Sequence, residues 1–261
     1  MKKHARVWLQ LTNCAFMSYT TNRLDTFSYF IGKTVRFGFF ALMIFSIFRF
    51  TDNISGYGKY EALLFFLTFN LIDSLSQALF RGVYVFKPDV QRGQLDYLLP
   101  KPVNTLFYIL SRLTDMLDII FSLLLIVLTM LVIQRLPITW GGVEMGWYTV
   151  LIILGLLIII GIHILTVAIT IRTEESDSII WLYRRGLYLG SFPPEIFNST
   201  GQFLFTYILP IFVIVAFPVK ALLGLLDWQN ILAALGLTIL WLGGAILFWK
   251  SSLKKYSSAS S

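Results

Sequence analysis

Several ionisable and amide side chains sit where hydrocarbon would make them expensive. Asn70, Asp73, Ser74 and Gln77 recur at three- and four-residue intervals in an otherwise apolar run, so a helix puts them on one face. Arg112, Asp115 and Asp118 repeat every third residue at the start of a second apolar run, and His163 stands alone along a third. A charged group at membrane depth faces the interior of a bundle rather than lipid. Asp73 lies about two turns from the end of its helix, and Arg112 and Asp115 lie at similar depth in theirs. This predicts an intramembrane polar cluster of Asn70, Asp73, Gln77, Arg112 and Asp115. It is either a lock that fixes helix geometry or part of a transport path. His163 is a proton-relay candidate by its chemistry. It reads more simply as a satisfied core histidine, because no second histidine or suitably spaced carboxylate accompanies it.

No other constellation carries chemistry. Gly32-Lys33-Thr34 mimics the end of a phosphate loop, but that pattern needs a glycine where Phe27 stands, and no strand precedes it. There is no nucleophile with a paired base, no HExxH and no carboxylate pair in an aqueous cleft, so neither a catalytic nor a metal site is expected. Nor does any set of groups form a complete proton or sodium pathway. Uphill transport by this chain would need a separate driving subunit.

Composition sets the class. Hydrophobic residues make up 57% and charged residues 13% of 261, with a mean hydropathy of +0.75. A soluble domain carries about 25% charge. The fold class is therefore an all-α polytopic membrane protein, and six spans of about 20 residues with short loops fill the length. The formal charge of +7 comes without a basic cluster interleaved with base-stacking residues, so nucleic acid is not an expected partner. Positive-inside bias accounts for it. The single cysteine, Cys14, excludes an intrachain disulfide framework. No cleavable signal follows the basic N-terminus, so the first span is expected to direct insertion.

These groups are to be positioned by spans expected at 26–50, 60–80, 106–133, 147–171, 201–218 and 228–249, within a single permease domain, 1–261. Residues 1–22 carry Val7, Trp8, Leu11, Ala15 and Phe16 at helical spacing behind Lys2, Lys3 and Arg6, which reads as an interfacial helix or a frayed basic tail. Lys33 and Arg36 are expected to snorkel to lipid phosphates. Pro210 predicts a kink in span five, and 219–226 is too short to cross and reads as re-entrant or interfacial. Residues 134–146, with Pro137, form an outer loop. In 172–199, Arg184 and Arg185 mark a second cytoplasmic helix that Pro193-Pro194 ends. Only Arg49, Lys59, Arg135 and Lys220 fall on the far side from the other loop and terminal Lys and Arg, which places both termini in the cytoplasm.

Between spans two and three, 87–106 is strongly polar and is interrupted by Pro88, Pro100 and Pro102. Residues 90–99 predict a short amphipathic helix, with Val90, Leu95, Leu98 and Leu99 on one side and Gln91, Arg92, Gln94 and Asp96 on the other. The stretch RGQLDYLLPKPVNTLF resembles a block of the type 2 ABC exporter permeases at Arg92, Gly93, Leu95, Asp96, Leu98, Leu99, Lys101, Pro102 and Asn104. The run 192–224 looks like that family's fifth span, and LKKYSSAS resembles its C-terminus. Pro100 departs from the pattern, where an apolar residue is more usual.

The resemblance implies half of a transmembrane dimer in the bacterial inner membrane, surrounded by membrane lipids and paired with an identical or related permease. It implies a soluble ABC ATPase that holds ATP and Mg, with no cofactor in this chain. Arg92, Gly93, Gln94, Leu95, Asp96, Lys101 and Pro102 would then couple ATPase closure to the spans. The aromatic content of 16%, including 23 Phe, fits a hydrophobic or amphipathic cargo (lipid, drug or peptide), or simply lipid-facing phenylalanine. A membrane-embedded lipid-modifying enzyme, with Asp115 and Asp118 as its nearest approach to a site, and a non-transporting scaffold subunit are the alternatives.

Overall fold

A computed structural model describes residues 2–136 and 141–256. Pro137 of the expected outer loop and the SSAS of the C-terminal motif lie outside the described residues. Among the described residues the regular elements are helices and no strand forms: α1 (Lys2–Thr21), α2 (Arg23–Ile47), α3 (Lys59–Phe80), α4 (Lys87–Gln91), α5 (Gln94–Leu98), α6 (Thr105–Ser111), α7 (Met116–Ile133), α8 (Gly142–Thr173), α9 (Asp177–Leu187), α10 (Ser199–Phe203), α11 (Ile211–Leu222) and α12 (Trp228–Lys254). Of these, α2, α3, α7, α8 and α12 are long and apolar enough to cross a membrane. The bent pair Ser199–Ile208 and Ile211–Leu222 makes a sixth candidate. This is a polytopic membrane protein.

The core has two parts. One gathers α3, α7, α8 and α11 around Phe65, Phe121, Leu151, Phe212 and Ile214. The other lies at the end of the bundle that carries α4 and α5, where Phe86, Val90, Leu95 and Leu98 meet Ile164, Val167 and Trp249. Lipid is as apolar as leucine, so burial alone does not drive such helices together; close packing and polar pairs do. Gly82 shows the closeness, because a Cβ there would fall on the carbonyl oxygen of Ile109. The turn that follows α3 is thereby laid directly on α6. On the other flank α8 and α12 run parallel: Gly161 backs onto the Trp241 backbone, and Arg172 bonds Ser251 and Ser252 at 2.9 and 2.8 Å.

Two expected spans are reshaped. Span three, expected unbroken over 106–133, divides into α6 and α7 with a non-helical break at 112–115. Asp115 N-caps α7, its carboxylate accepting from the Leu117 and Asp118 amides at 3.0 and 3.2 Å. The expected span at 201–218 is instead part of a loop that starts and finishes at one end of the bundle. Glu195, just ahead of it, accepts from Lys220 at 2.5 Å, and Glu195 also lies against Tyr57 in the loop before α3. Asp177 at the start of α9 binds Lys87, beyond the opposite end of α3. Helix α3 has 22 residues and is about 33 Å long. The chain therefore passes from one end to the other between Asp177 and Glu195, through α9, two short 3-10 turns and the Pro193–Pro194 pair.

The bend of 101° in the pair that follows falls at Leu209–Pro210. Proline has no N–H and drives the preceding residue extended, and Leu209 has φ −114 and ψ 93. The re-entrant region is thus longer than the expected 219–226, and α11 continues through Pro218 to Leu222. At 12 residues, about 18 Å, α11 is too short to cross, and it is buried on every side from Ile211 to Val219.

Candidate functional site

The polar segment between α3 and α6 is a folded projection rather than one continuous helix. Gly93 adopts φ 68, the left-handed conformation that a side chain disfavours, and separates α4 from α5. The expected helix over 90–99 is corrected accordingly. Val90, Leu95 and Leu98 are buried as expected, while Leu99 is exposed. The break has a further effect. In an unbroken helix Tyr97 would share the face of Val90, seven residues earlier; here its side chain is 76% exposed. Arg92, Gln94, Pro100, Lys101 and Pro102 are exposed beside it. Sequence reasoning passed over Tyr97 because the turn at Gly93 was not foreseen.

Three contacts hold this tip on the bundle. Lys87 donates to Glu175 at 2.6 Å and to Asp177 at 2.7 Å, clasping α4 to the start of α9. Hydrogen bonds to Asp177 and Glu175 raise the Lys87 ammonium above its ordinary range, and the bond from Lys87 lowers the Glu175 carboxyl. Gln91 donates to the Glu174 carbonyl at 3.3 Å. At the far side Asp96 faces Tyr256, whose phenol is pushed up by burial and then by that carboxylate. Two stretches that carried the family resemblance thus meet in space. Asn104 has a structural role: it caps α6, accepting from Phe107 N at 2.9 Å. Lys101 lies 5.6 Å from the Tyr108 ring centroid.

Within the bundle the expected cluster divides. Asp73 pairs with Arg184 of α9 at 3.5 Å, not with Arg112. Arg112 binds Asp89 of α4 and the Val85 carbonyl. Asp115 binds Arg81, which follows α3. Asp118 binds Lys33 of α2 and accepts from Ser74 at 2.8 Å. Asn70 bonds its own helix at the Phe66 carbonyl, 2.8 Å, and Gln77 donates to the Tyr84 hydroxyl at 2.7 Å. Lys33 therefore turns inward instead of snorkelling, since a buried carboxylate is a stronger partner than a distant lipid phosphate. Each of these ion pairs joins different helices or the turns beside them. The sequence named Asp73, Arg112 and Asp115 and missed Asp89, Arg81 and Arg184 as their partners, because the breaks that redirect the chain are tertiary features.

His163 is buried between Phe80, Tyr84 and Tyr183, with ring centroids 6.4, 6.3 and 5.4 Å away. Neither ring nitrogen bonds another described residue. This is the environment of a packed core histidine, without the acid a relay would use. The N-terminal helix docks on the bundle through His4 edge-on to Phe107 at 5.1 Å and Thr12 to Thr114 at 3.1 Å, so it is an ordered helix and not a frayed tail.

The model of the family described as ABC-2 family transporter protein matches residues 35–260, nearly the whole described bundle. The chain belongs to the ABC-2 transporter family. Comparison with curated proteins and with solved structures gave no match. In an ABC-2 permease the helical bundle is the membrane part of the transporter, and the projecting α4–α5 tip and the cross-braced ion pairs are parts of that bundle.

Proposed function

We propose that this ABC-2 permease is the membrane subunit of an ATP-driven exporter in the bacterial inner membrane. It works with an identical or related second permease, and a soluble ABC ATPase binds its α4–α5 tip. ATP and Mg are held by that ATPase. The carrying observation is the tip itself. An exposed aromatic, Tyr97, is flanked by Arg92 and Lys101 on a base clasped to α9 and packed against Tyr256. Aromatic and arginine side chains are the residues on which interface energy concentrates. A push on such a tip reaches α8, α9 and α12 through the Lys87 clasp and the packing of Leu95 and Leu98. The Lys and Arg distribution supports a cytoplasmic position for this end. Asp115 and Asp118, which an enzyme would need free, are each committed to a cation. That favours the permease over the lipid-modifying enzyme.

The test is co-purification from mild detergent with the ATPase, in wild type and in Tyr97→Ala and Arg92→Ala variants. An interface anchor removed this way costs about 2 kcal/mol or more, roughly thirtyfold in affinity. Loss of the ATPase from variants that melt like wild type is the expected result. Undiminished co-purification and ATP turnover in the double variant would remove the tip from the coupling path.

A further inference from the structure

A cavity of about 880 Å³ lies between α2 and α9, lined among others by Lys33, Arg36, Arg184 and Arg185. Two of these cations are accounted for by Asp118 and Asp73. Arg36 and Arg185 are not. Among the described residues neither pairs with a carboxylate. Arg36 lies 5.7 Å from the Tyr188 ring centroid and Arg185 lies 5.1 Å from that of Trp181. Ring contacts leave the guanidinium N–H edges free, and those edges match a phosphate oxygen pair. The acidic residue of the lining, Asp177, is already held by Lys87.

The rest of the wall is apolar or aromatic, with Tyr29, Phe40, Ile180 and Trp181. Within that wall Tyr29 of α2 and Trp181 of α9 are also exposed on the outside of the bundle. A tail continuous with the bilayer would lie along that surface while its headgroup turns inward. From this pairing of free guanidiniums with an apolar flank, we infer that the cavity binds an anionic amphipath, a phosphate-type headgroup on an apolar tail. Binding does not depend on ATP coupling; use of the cavity for cargo loading rests on the exporter reading. The two are separable because Tyr97 is not among the residues lining the cavity.

The experiment titrates the purified full chain in a non-ionic detergent with short-chain phosphatidylglycerol, with phosphatidylcholine of equal chain length and with inorganic phosphate. Phosphatidylglycerol should bind at least about tenfold more tightly than the other two. Arg36→Gln and Arg185→Gln should each weaken it about tenfold, the loss of one charge-assisted contact. Arg185 is exposed, so its variant keeps the fold, and Arg36→Lys, which retains charge without the fork, should fall between wild type and Arg36→Gln. Tyr97→Ala should bind the lipid like wild type even where it loses the ATPase. Equal affinity for the two lipids overturns the anion preference. Inorganic phosphate binding as tightly as the lipid overturns the amphipath, and wild-type lipid affinity in both glutamine variants overturns the site.

Discussion

Replacing Asp118 with leucine tests whether the ion pairs inside the bundle act as locks. Its carboxylate is fully buried, and the Lys33 side chain is 9% exposed. Breaking a buried pair from one side costs about 3–5 kcal/mol, because a charge is left without its partner. Here the stranded ammonium keeps Ser74 Oγ at 2.9 Å and the Phe121 ring, 4.6 Å from its centroid. The loss for Asp118→Leu should therefore sit at the low end, about 3 kcal/mol. Lys33→Met should cost less, about 2 kcal/mol, since the carboxylate keeps Ser74 at 2.8 Å and lies in the first turn of α7, where the helix dipole favours it. The double variant leaves no stranded charge and should lose about 2 kcal/mol, giving a coupling of roughly 3 kcal/mol. The assay is apparent melting temperature and inactivation half-life in detergent at a fixed scan rate, because membrane bundles rarely unfold reversibly. If the double variant loses the sum of the single losses, about 5 kcal/mol, the two groups do not act as a pair.

Asp89→Ala and Arg112→Ala should be strongly non-additive in the same assay, whereas Asp73→Ala and Arg112→Ala should add to within about 0.5 kcal/mol, since they belong to separate pairs. Gly93→Ala should destabilise by about 1–2 kcal/mol through its left-handed φ, and Gly82→Ala should cost more, because the new methyl meets the Ile109 carbonyl; melting of both variants checks the order. The Lys87 clasp should be flat across neutral pH. Glu175 has a lowered folded value, so its contribution is complete above the ordinary glutamate range and disappears as pH falls through that lower value. Lys87 is raised, so its contribution is complete below the ordinary lysine range and is lost as pH climbs from there through the higher value. Spin-label distances between cysteines at Gln94 and Ser178, in a Cys14→Ser background, should lengthen only at the acid and alkaline extremes, and Lys87→Met should abolish the dependence.

Much of the fold was legible because hydrocarbon imposes strict terms on sequence. A long apolar helix must satisfy its own backbone, so α2, α3, α7, α8 and α12 announce themselves by length and hydropathy. The polar positions were legible too: Asp73, Arg112, Asp115 and Asp118 are all ion-paired. Their partners were not, because pairing depends on where α6 breaks from α7 and where α9 ascends. The amphipathic side of the tip was read correctly at Val90, Leu95 and Leu98, but the exposure of Tyr97 turns on one backbone conformation at Gly93.

The sequence by itself determined the class of the protein, its main helices, the polar projection between α3 and α6 and the ABC-2 resemblance. These follow from composition, periodicity and motif, which are local properties of the chain. Only the tertiary structure decided that Lys33 turns inward, that 196–219 returns to its starting end, that the passage is made between Asp177 and Glu195, and that Arg36 and Arg185 face one cavity with no carboxylate partner among the described residues. The physical reason is common to all four. A buried charge selects its partner from whatever the packing brings within reach, and that neighbourhood is fixed by residues far apart in sequence.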